Sequence, residues 1–456
     1  IEGYEEVTYW VEGEDQLLDH VTAWSWTQEV QTGAYVLRDY NFETPKTDLL
    51  VNESSAMDYS HGAYEVYDYP GEYGTGSDGQ EYVKYRMEER ESQHEIVQGA
   101  GSLRGFYVGG VFKLTGYWRG DQNDKHYLLT SVTHELQSDE YVSASGAEEG
   151  PLYSGSFTAI PTSRPFRTPR VTPKPLIQGP QTAVVVGPAG EEIWPDKYGR
   201  VKVQFHWDRE GQADENSSCW VRVSQPWAGK RWGYMEIPRI GHEVVIEFLE
   251  GDPDRPLITG RVYNADNMPP YELPEFKTLS GVKSNSSKGG QGFNEIRFED
   301  KKGEEQIFVH GERNQDVRIK ADRRETIGHD RHLVVKNDKL EIIENDRHEI
   351  VWGNHVEEVV SDRNLRVNEN MHVNVEGDRK TRVNGDVVEN FNSCHHENVE
   401  ADYALTTGGN IVLESDKNIT LRVGDTVISI DAEGILLDTN GAIRVDAIDR
   451  LHRLID

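Results

Sequence analysis

Hydrophobic and polar positions follow a strict repeat of eight residues, the octad, between residues 317 and 394. One apolar position per octad, which we call the column, holds Ile319, Ile327, Val335, Ile343, Val351, Val359, Val367, Val375, Val383 and Phe391. An Asp or Asn stands three residues later, at Asp322, Asp330, Asp338, Asp346, Asn354, Asp362, Asn370, Asp378 and Asp386. Because eight is a multiple of two, each octad of an extended chain shows the same face to the same side, whereas on an α-helix the apolar residue would rotate by roughly 80° per octad. The period therefore predicts one short strand and one corner, at the Asp or Asn, in every octad.

The column supplies one fixed apolar residue per octad, which is too few to form the hydrophobic core of a solenoid made by a single chain, because such a solenoid needs several inward residues in each coil. The remaining positions are mostly charged, with 17 acidic and 13 basic residues between 316 and 391. Three chains wound about a common axis would share one core of column residues and pair their charges. If each octad advances by about 4.7 Å, the ten octads form a rod of roughly 45–50 Å. The alternative is a disordered charged segment, but disorder does not preserve register over ten repeats.

The first part of the chain, residues 1–165, reads as a β-rich hub that we expect to begin inside a domain. Its predicted strands are Tyr4–Val11, Ala34–Tyr40, Glu81–Glu88, Gly110–Trp118 and Tyr127–His134. Gly71–Gln80 is predicted to be a flexible loop, and Tyr82–Gly99 is the one helical candidate, competing with the third strand. Pro161–Pro175 carries five prolines and is predicted to be an extended linker.

Residues 178–265 have a different pattern of five short apolar segments separated by turns, which is typical of a small five-stranded barrel of the oligonucleotide/oligosaccharide-binding (OB) type. The predicted strands are Thr182–Val186, Val201–Phe205, Cys219–Val223, Glu243–Phe248 and Leu257–Arg261. Residues 266–310 form a connector whose strands Phe293–Phe298 and Glu305–His310 start the solenoid, and residues 311–456 form the needle. Apolar segments at Ile411–Leu413 and Ile435–Leu437 keep a spacing near eight, so the fibre is expected to continue toward Asp456.

Charge and cysteine content narrow the possible partners. The net charge is -32, and residues 1–160 hold 29 acidic against 9 basic residues, so phosphate backbones are repelled and nucleic-acid binding is not expected. The chain has 2 cysteines, which suits assembly in the cytosol. Cys219 is predicted to be a small buried residue. Cys394-His395-His396 would meet its copies in a trimer and could hold a metal, but we favour a register break at the end of the needle.

Five strings of residues carry a resemblance to a known family. They are Asp39-Tyr40-Asn41-Phe42, Asp196–Asp208, Trp220–Gln225, Ile237–Gly241 and Phe248–Pro256. With the octads downstream, the chain resembles VgrG, the valine–glycine repeat spike of the type VI secretion system. The resemblance implies a mainly β fold: a hub with a β-barrel, an OB barrel and an intertwined triple-stranded β-helix in a homotrimer.

The resemblance also implies partners and a location. The spike would be assembled in the cytoplasm on a ring of Hcp hexamers, with baseplate components around it. A PAAR-repeat protein, an effector or both would sit at its tip. It would then be secreted and make transient contact with a target membrane.

Three alternatives compete with this interpretation. A hub-and-needle protein of a contractile phage tail would often carry a lysozyme domain between barrel and needle, and the 45-residue connector is too short for one. A polysaccharide-degrading tailspike enzyme would need longer coils with convergent carboxylates. A nucleic-acid-binding OB protein conflicts with the charge. Serine-hydrolase, His-Glu-x-x-His and phosphate-loop motifs are absent from the sequence, so we predict neither catalysis nor a cofactor.

Overall fold

The computed structural model describes residues 1–10, 19–55, 58–137 and 153–443. The chain falls into two compact units, residues 1–325 and 326–456. Among the described residues strands far outnumber helices, which confirms the mainly β prediction. Within those residues, none of the helices combines the length and the apolar content needed to cross a membrane.

The described part of the hub consists of two open sheets and one helix. Its elements are β1 (Glu6–Thr8), β2 (Val21–Gln28), β3 (Ala34–Asp39), β4 (Leu49–Ser54), β5 (Glu65–Asp68), α1 (Gly76–Ser92), β6 (Glu95–Gly101), β7 (Val111–Thr115), β8 (His126–Leu136) and β9 (Tyr153–Pro161). The larger sheet has the order β1-β7-β8-β9-β6-β2, and the smaller has the order β4-β3-β5. Trp24 lies in the core of the larger sheet against the rings of Phe112, Tyr127 and Phe157. Four of the five predicted hub strands are thus present, as β1, β3, β7 and β8. The end of the first predicted strand, Val11, lies outside the described residues.

The helix α1 corrects two predictions. It begins at Gly76, inside the predicted loop, and it replaces the predicted strand Glu81–Glu88. Thr75 caps it by accepting a hydrogen bond from the Asp78 N–H, and Val83 and Met87 are buried one turn apart against β3 and β4. The helix ends at Ser92 and not at Gly99, because Gly99 belongs to β6, where a Cβ would collide with the ring of Phe157.

The barrel contains the five strands that the sequence predicts. They are β10 (Gln181–Val186), β11 (Lys202–Phe205), β12 (Arg222–Val223), β13 (Glu243–Phe248) and β14 (Pro256–Arg261), in the order β11-β10-β13-β14-β12. Their core includes Val185, Val203 and Ile246. The prediction that Cys219 is buried is wrong: it is exposed, because it precedes β12 and Val221 takes the buried position.

Two short meanders flank the octads in sequence. The first joins β15 (Leu279–Lys283), β16 (Glu295–Glu299) and β17 (Gln306–His310) in one antiparallel sheet. The second joins β18 (Ile419–Val423), β19 (Thr426–Asp431) and β20 (Gly434–Asp438). The eight-residue spacing continues beyond the column, as expected, to the bend at 416–417, but from 419 to 438 the chain forms the second meander in place of further octads, and residues 444–456 lie outside the described part. Gly424 and Gly434, with φ of 56° and 145°, allow the tight turns that reverse the chain.

Candidate assembly surfaces

The octads are visible in the backbone as a bend that recurs every eight residues. Bends lie at 320–321, 328–329, 336–337 and so on to 416–417, and extended segments of six residues separate them. Each column residue comes directly before a bend, and the Asp or Asn predicted at the corner comes directly after it. That the column faces the axis of a trimer stays a prediction. The geometry is compatible with it, because every column residue occupies the same place relative to a bend.

The two faces of each extended segment differ in exposure. The column side chains have similar exposed fractions, from 43% at Ile327 to 54% at Phe391. Their neighbours on the opposite face are far more open, with 85% at Val334 and 77% at Ile350. Alternation along an extended chain places the odd-numbered residues of a segment on the column side. The column therefore lines the more sheltered side of the chain.

Charged side chains share the column's face. Four residues before the column stands a row that is mostly Arg or Lys, and two residues before it stands Glu in several octads. Lys339 Nζ lies 2.7 Å from the Glu341 carboxylate, and its hydrogen bond holds the pKa of Glu341 below the usual range. Arg363 reaches back to Glu357 of the preceding octad at 3.3 Å. Each of these exposed ion pairs contributes little to stability. Together, the basic and acidic side chains alternate along the face that carries the column.

The backbone of the octads is the most consequential feature of the site. Within the described part of the chain, residues 311–418 belong to no strand pair of their own chain. An extended segment presents N–H and C=O groups on both edges, and in folded proteins such groups are satisfied by neighbouring strands or by water. About a hundred residues that keep an eight-residue register without intrachain pairing point to strands supplied by other chains.

A second surface joins the hub to the barrel and centres on Asp39 at the end of β3. The Asp39 side chain is 0% exposed and accepts hydrogen bonds from Arg255 Nη2 at 2.8 Å and from the N–H of Glu72 at 2.6 Å. The Tyr73 N–H lies 3.3 Å from the same carboxylate. Arg255 belongs to the turn between β13 and β14. One buried carboxylate therefore ties a hub strand, a hub loop and a barrel turn together, and we call this cluster the joint.

Aromatic contacts extend the joint. The Phe42 ring lies 5.2 Å from the guanidinium carbon of Arg200 and 4.6 Å from that of Arg222. Arg200 also forms an ion pair with Glu43 at 3.4 Å. Arg200 and Arg222 belong to the barrel, whereas Phe42 and Glu43 belong to the hub. Phe42, Arg200 and Arg222 belong to three of the five strings that carry the family resemblance, and these three strings contact one another at the joint.

The proline-rich linker is fastened at the joint by Lys174. Its Nζ lies 2.7 Å from the Asp252 carboxylate of the barrel and 3.2 Å from the Glu72 carboxylate of the hub. Burial alone would raise the pKa of Asp252, but the hydrogen bonds from Lys174 and from the Asp254 N–H hold it below the ordinary value. The hydrogen bond to Asp252 in turn raises the pKa of Lys174.

This contact predicts a defined pH dependence. Because folding lowers the pKa of Asp252, its stabilisation is present above the pKa of the unfolded carboxyl, about 3.9, and is lost as the pH falls through the folded value. At pH 7 we expect the free energy of unfolding of wild type to exceed that of a Lys174→Met variant by about 1 kcal/mol at most, because Lys174 is partly exposed. The difference should shrink toward zero as the pH falls through the folded pKa of Asp252. A difference that grew on acidification, measured by thermal unfolding, would contradict the assigned contact.

The side chains of Cys394, His395 and His396 do not form a metal site within one chain. Cys394 is exposed, and the ring of His395 lies against Phe391 with centroids 4.4 Å apart. Among the residues that the structure describes, no group of three His, Cys, Asp or Glu side chains of one chain is arranged to hold a metal ion. The predicted register break is wrong, because bends at 392–393 and 400–401 keep the eight-residue spacing through this segment. A metal site shared between copies remains a prediction.

Three family models match successive parts of the chain. Residues 1–140 match the phage tail baseplate hub, and residues 182–263 match the type VI secretion system/phage-baseplate injector OB domain. Residues 280–391 match the bacteriophage T4 gp5 C-terminal trimerisation domain. The spike protein VgrG1a of the Pseudomonas aeruginosa type VI secretion system is 52% identical over 313 residues, 68% of this chain and 48% of the relative. Over the matched residues, this chain is a homologue of the VgrG spike proteins.

Another P. aeruginosa VgrG protein, VgrG1b, is 51% identical over 315 residues, 69% of this chain and 42% of the relative. The chain thus spans about half the length of the VgrG relatives it matches. The predicted resemblance to VgrG and the predicted OB domain are confirmed.

Two solved structures are also similar in part. One is the E. coli c3393 protein, described as a type VI secretion component similar to T4 tail proteins gp27 and gp5, with 21% identity, a TM-score of 0.34 and coverage of 57% of this chain and 50% of that one. The other is a PdpA-VgrG complex, with 6% identity, a TM-score of 0.37 and coverage of 64% and 58%.

Proposed function

We propose that three copies of this chain form the puncturing spike of a type VI secretion system. The observation that carries the proposal is the backbone of residues 311–418, which keeps an eight-residue register with no strand partner in its own chain among the described residues. In a three-chain needle each extended segment pairs with segments of the two other chains above and below it. The column then meets its copies on the common axis. The match to a trimerisation domain supports this arrangement.

The proposed architecture explains a mechanical role. Hydrogen bonds shared between chains resist peeling, because separating one chain disrupts many bonds at once. The needle leaves open strand edges only at its two ends. The joint would pass axial load from the barrel to the hub through a buried ion pair. Since the surface is acidic and hydrophilic, passage through a membrane is driven by contraction of a sheath and not by spontaneous insertion.

The partners that the family resemblance implies are part of the proposal. The hub would rest on an Hcp hexamer ring among baseplate components, and the needle tip would carry a PAAR-repeat protein, an effector or both. Assembly would take place in the cytoplasm before secretion. We propose the domain limits 1–165 for the hub, 178–265 for the barrel, 266–310 for the connector and 311 onward for the needle.

The mass of the native assembly tests the proposal most directly. Native mass spectrometry or sedimentation at micromolar concentration should give three times the mass of the 51.8 kDa chain. A stable single subunit under these conditions would overturn the proposed needle. Incubation with cell-wall and capsular glycans should release no product, and turnover would instead favour a tailspike enzyme.

A further inference from the structure

One stretch of the octads is apolar on the face opposite the column. The residues that share this property, which we call the belt, are Val334, Leu340, Ile342, Ile350, Trp352, Val356 and Val360. They are 77% to 95% exposed, and Trp352 and Val360 are the most exposed of them. Exposed apolar side chains clustered in this way mark interaction sites more often than chance surface residues.

The belt is local to one part of the needle. Five members, Val334, Leu340, Ile342, Ile350 and Val356, stand at even-numbered positions of extended segments and so lie opposite the odd-numbered column. The other two, Trp352 and Val360, stand in the bends directly after a column residue. The same positions in the next octads, residues 362–400, hold Asp, Asn, Arg, Lys, His or Glu, with Val388 and Cys394 as the exceptions. The repeat therefore does not require apolar residues at these positions, and their presence over residues 334–360 needs another explanation.

The belt does not fit into the core of the proposed needle. An extended segment cannot turn both faces toward one axis, so a column on the axis leaves the belt on the outside. Three copies would then form an apolar girdle roughly 19 Å tall, taking four octads at about 4.7 Å each. This step rests on the proposed three-chain needle.

Carboxylates interrupt the belt and define what can cover it. Asp338, Glu344, Asp346 and Glu358 occupy even-numbered positions among the apolar residues, against the single ammonium of Lys336. Burying these carboxylates in lipid would be costly, and two belts brought face to face would repel each other. A segment that alternates apolar side chains with Lys or Arg satisfies both features, because it covers the apolar groups and neutralises the acids.

We propose that the belt is a lateral docking surface for a cargo protein that presents such a basic, apolar segment. Cargo held at the side of the needle is distinct from cargo held at its tip. Loading would then depend on the belt, whereas assembly of the needle would depend on the column. The two properties can be separated by substitutions at neighbouring residues.

The test uses the full chain and a labelled 12-residue peptide that alternates Leu with Lys. Wild type should bind this peptide, and a double variant with Ile342→Ser and Trp352→Ser should bind it roughly tenfold more weakly or worse. The control Val388→Ser, which removes an equally exposed apolar residue on the same face of a lower octad, should bind like wild type. A twin peptide with Glu in place of Lys should not bind.

Several results would overturn the proposal. Equal binding by wild type and the double variant would show that the belt is not the docking surface. Flotation of wild type with phosphatidylcholine vesicles without peptide binding would assign the belt to membrane contact, and concentration-dependent pairing of needles that the double variant loses would assign it to a second copy. A double variant that no longer has the threefold mass would place the belt in the core. A wild type without that mass would instead defeat the proposed spike.

Discussion

Replacing Val351 by Asp is expected to abolish the trimer. Val351 belongs to the column, and its side chain is 48% exposed in the single chain, on the sheltered face. In the proposed needle three carboxylates would meet on the axis, and the cation on the same face of this segment, Arg347, is already paired with Glu349 at 2.8 Å. Removing a carboxylate from water without a partner costs about 3 kcal/mol or more per chain, and neighbouring like charges add to it. Native mass spectrometry should show single chains where wild type shows three.

The adjacent residue provides the matched control. Ile350 is an apolar residue of the same octad but lies on the opposite face, where it is 77% exposed. Ile350→Asp adds the same charge at the next position, so it should leave the threefold mass unchanged while weakening the apolar belt. Normal assembly of the Val351→Asp variant, or loss of assembly in the Ile350→Asp variant alone, would mean that the column does not face the axis.

Replacing Asp39 by Ala is expected to loosen the joint between hub and barrel. The substitution leaves Arg255 without its carboxylate partner and the N–H groups of Glu72 and Tyr73 without their acceptor. Breaking a buried ion pair by removing one partner costs about 3–5 kcal/mol. We expect a lower melting temperature and faster proteolysis of the linker at residues 161–175, both measured on the purified full chain.

Two further variants show whether the joint is the cause. Arg38 is the neighbour of Asp39 but forms an exposed ion pair with Asp48 at 3.2 Å, so Arg38→Ala should cost about 1 kcal/mol or less. Arg255→Met leaves the buried Asp39 without its cation and should also destabilise. Combining it with Asp39→Ala should cost less than the sum of the two, because both remove the same contact. Strict additivity, or an Asp39→Ala variant as stable as Arg38→Ala, would exclude a role for the joint.

Local patterns in the sequence predicted much of the fold. Alternation of apolar residues located the five barrel strands and four hub strands to within a few residues, because half-buried strands repeat with a period of two. The helix α1 was placed too late, since its cap at Thr75 lies in a stretch of Gly, Ser and Asp that reads equally well as a loop. The second meander was missed because apolar spacing near eight is compatible both with octads and with short hairpins.

The sequence by itself determined the octad, because an eight-residue period is compatible with extended chain and not with a helix, and it determined which side chains form the column. Only the tertiary structure decided how the hub is fastened to the barrel. Asp39 and Arg255 are 216 positions apart. Alternation in β3 places Asp39 on the buried face but does not name its partner, so no local pattern records their contact. The structure was equally needed to show that the octads find no strand partner within their own chain among the described residues. Pairing is a property of chain topology, and a repeat specifies where strands begin and end without specifying which chain supplies their neighbours.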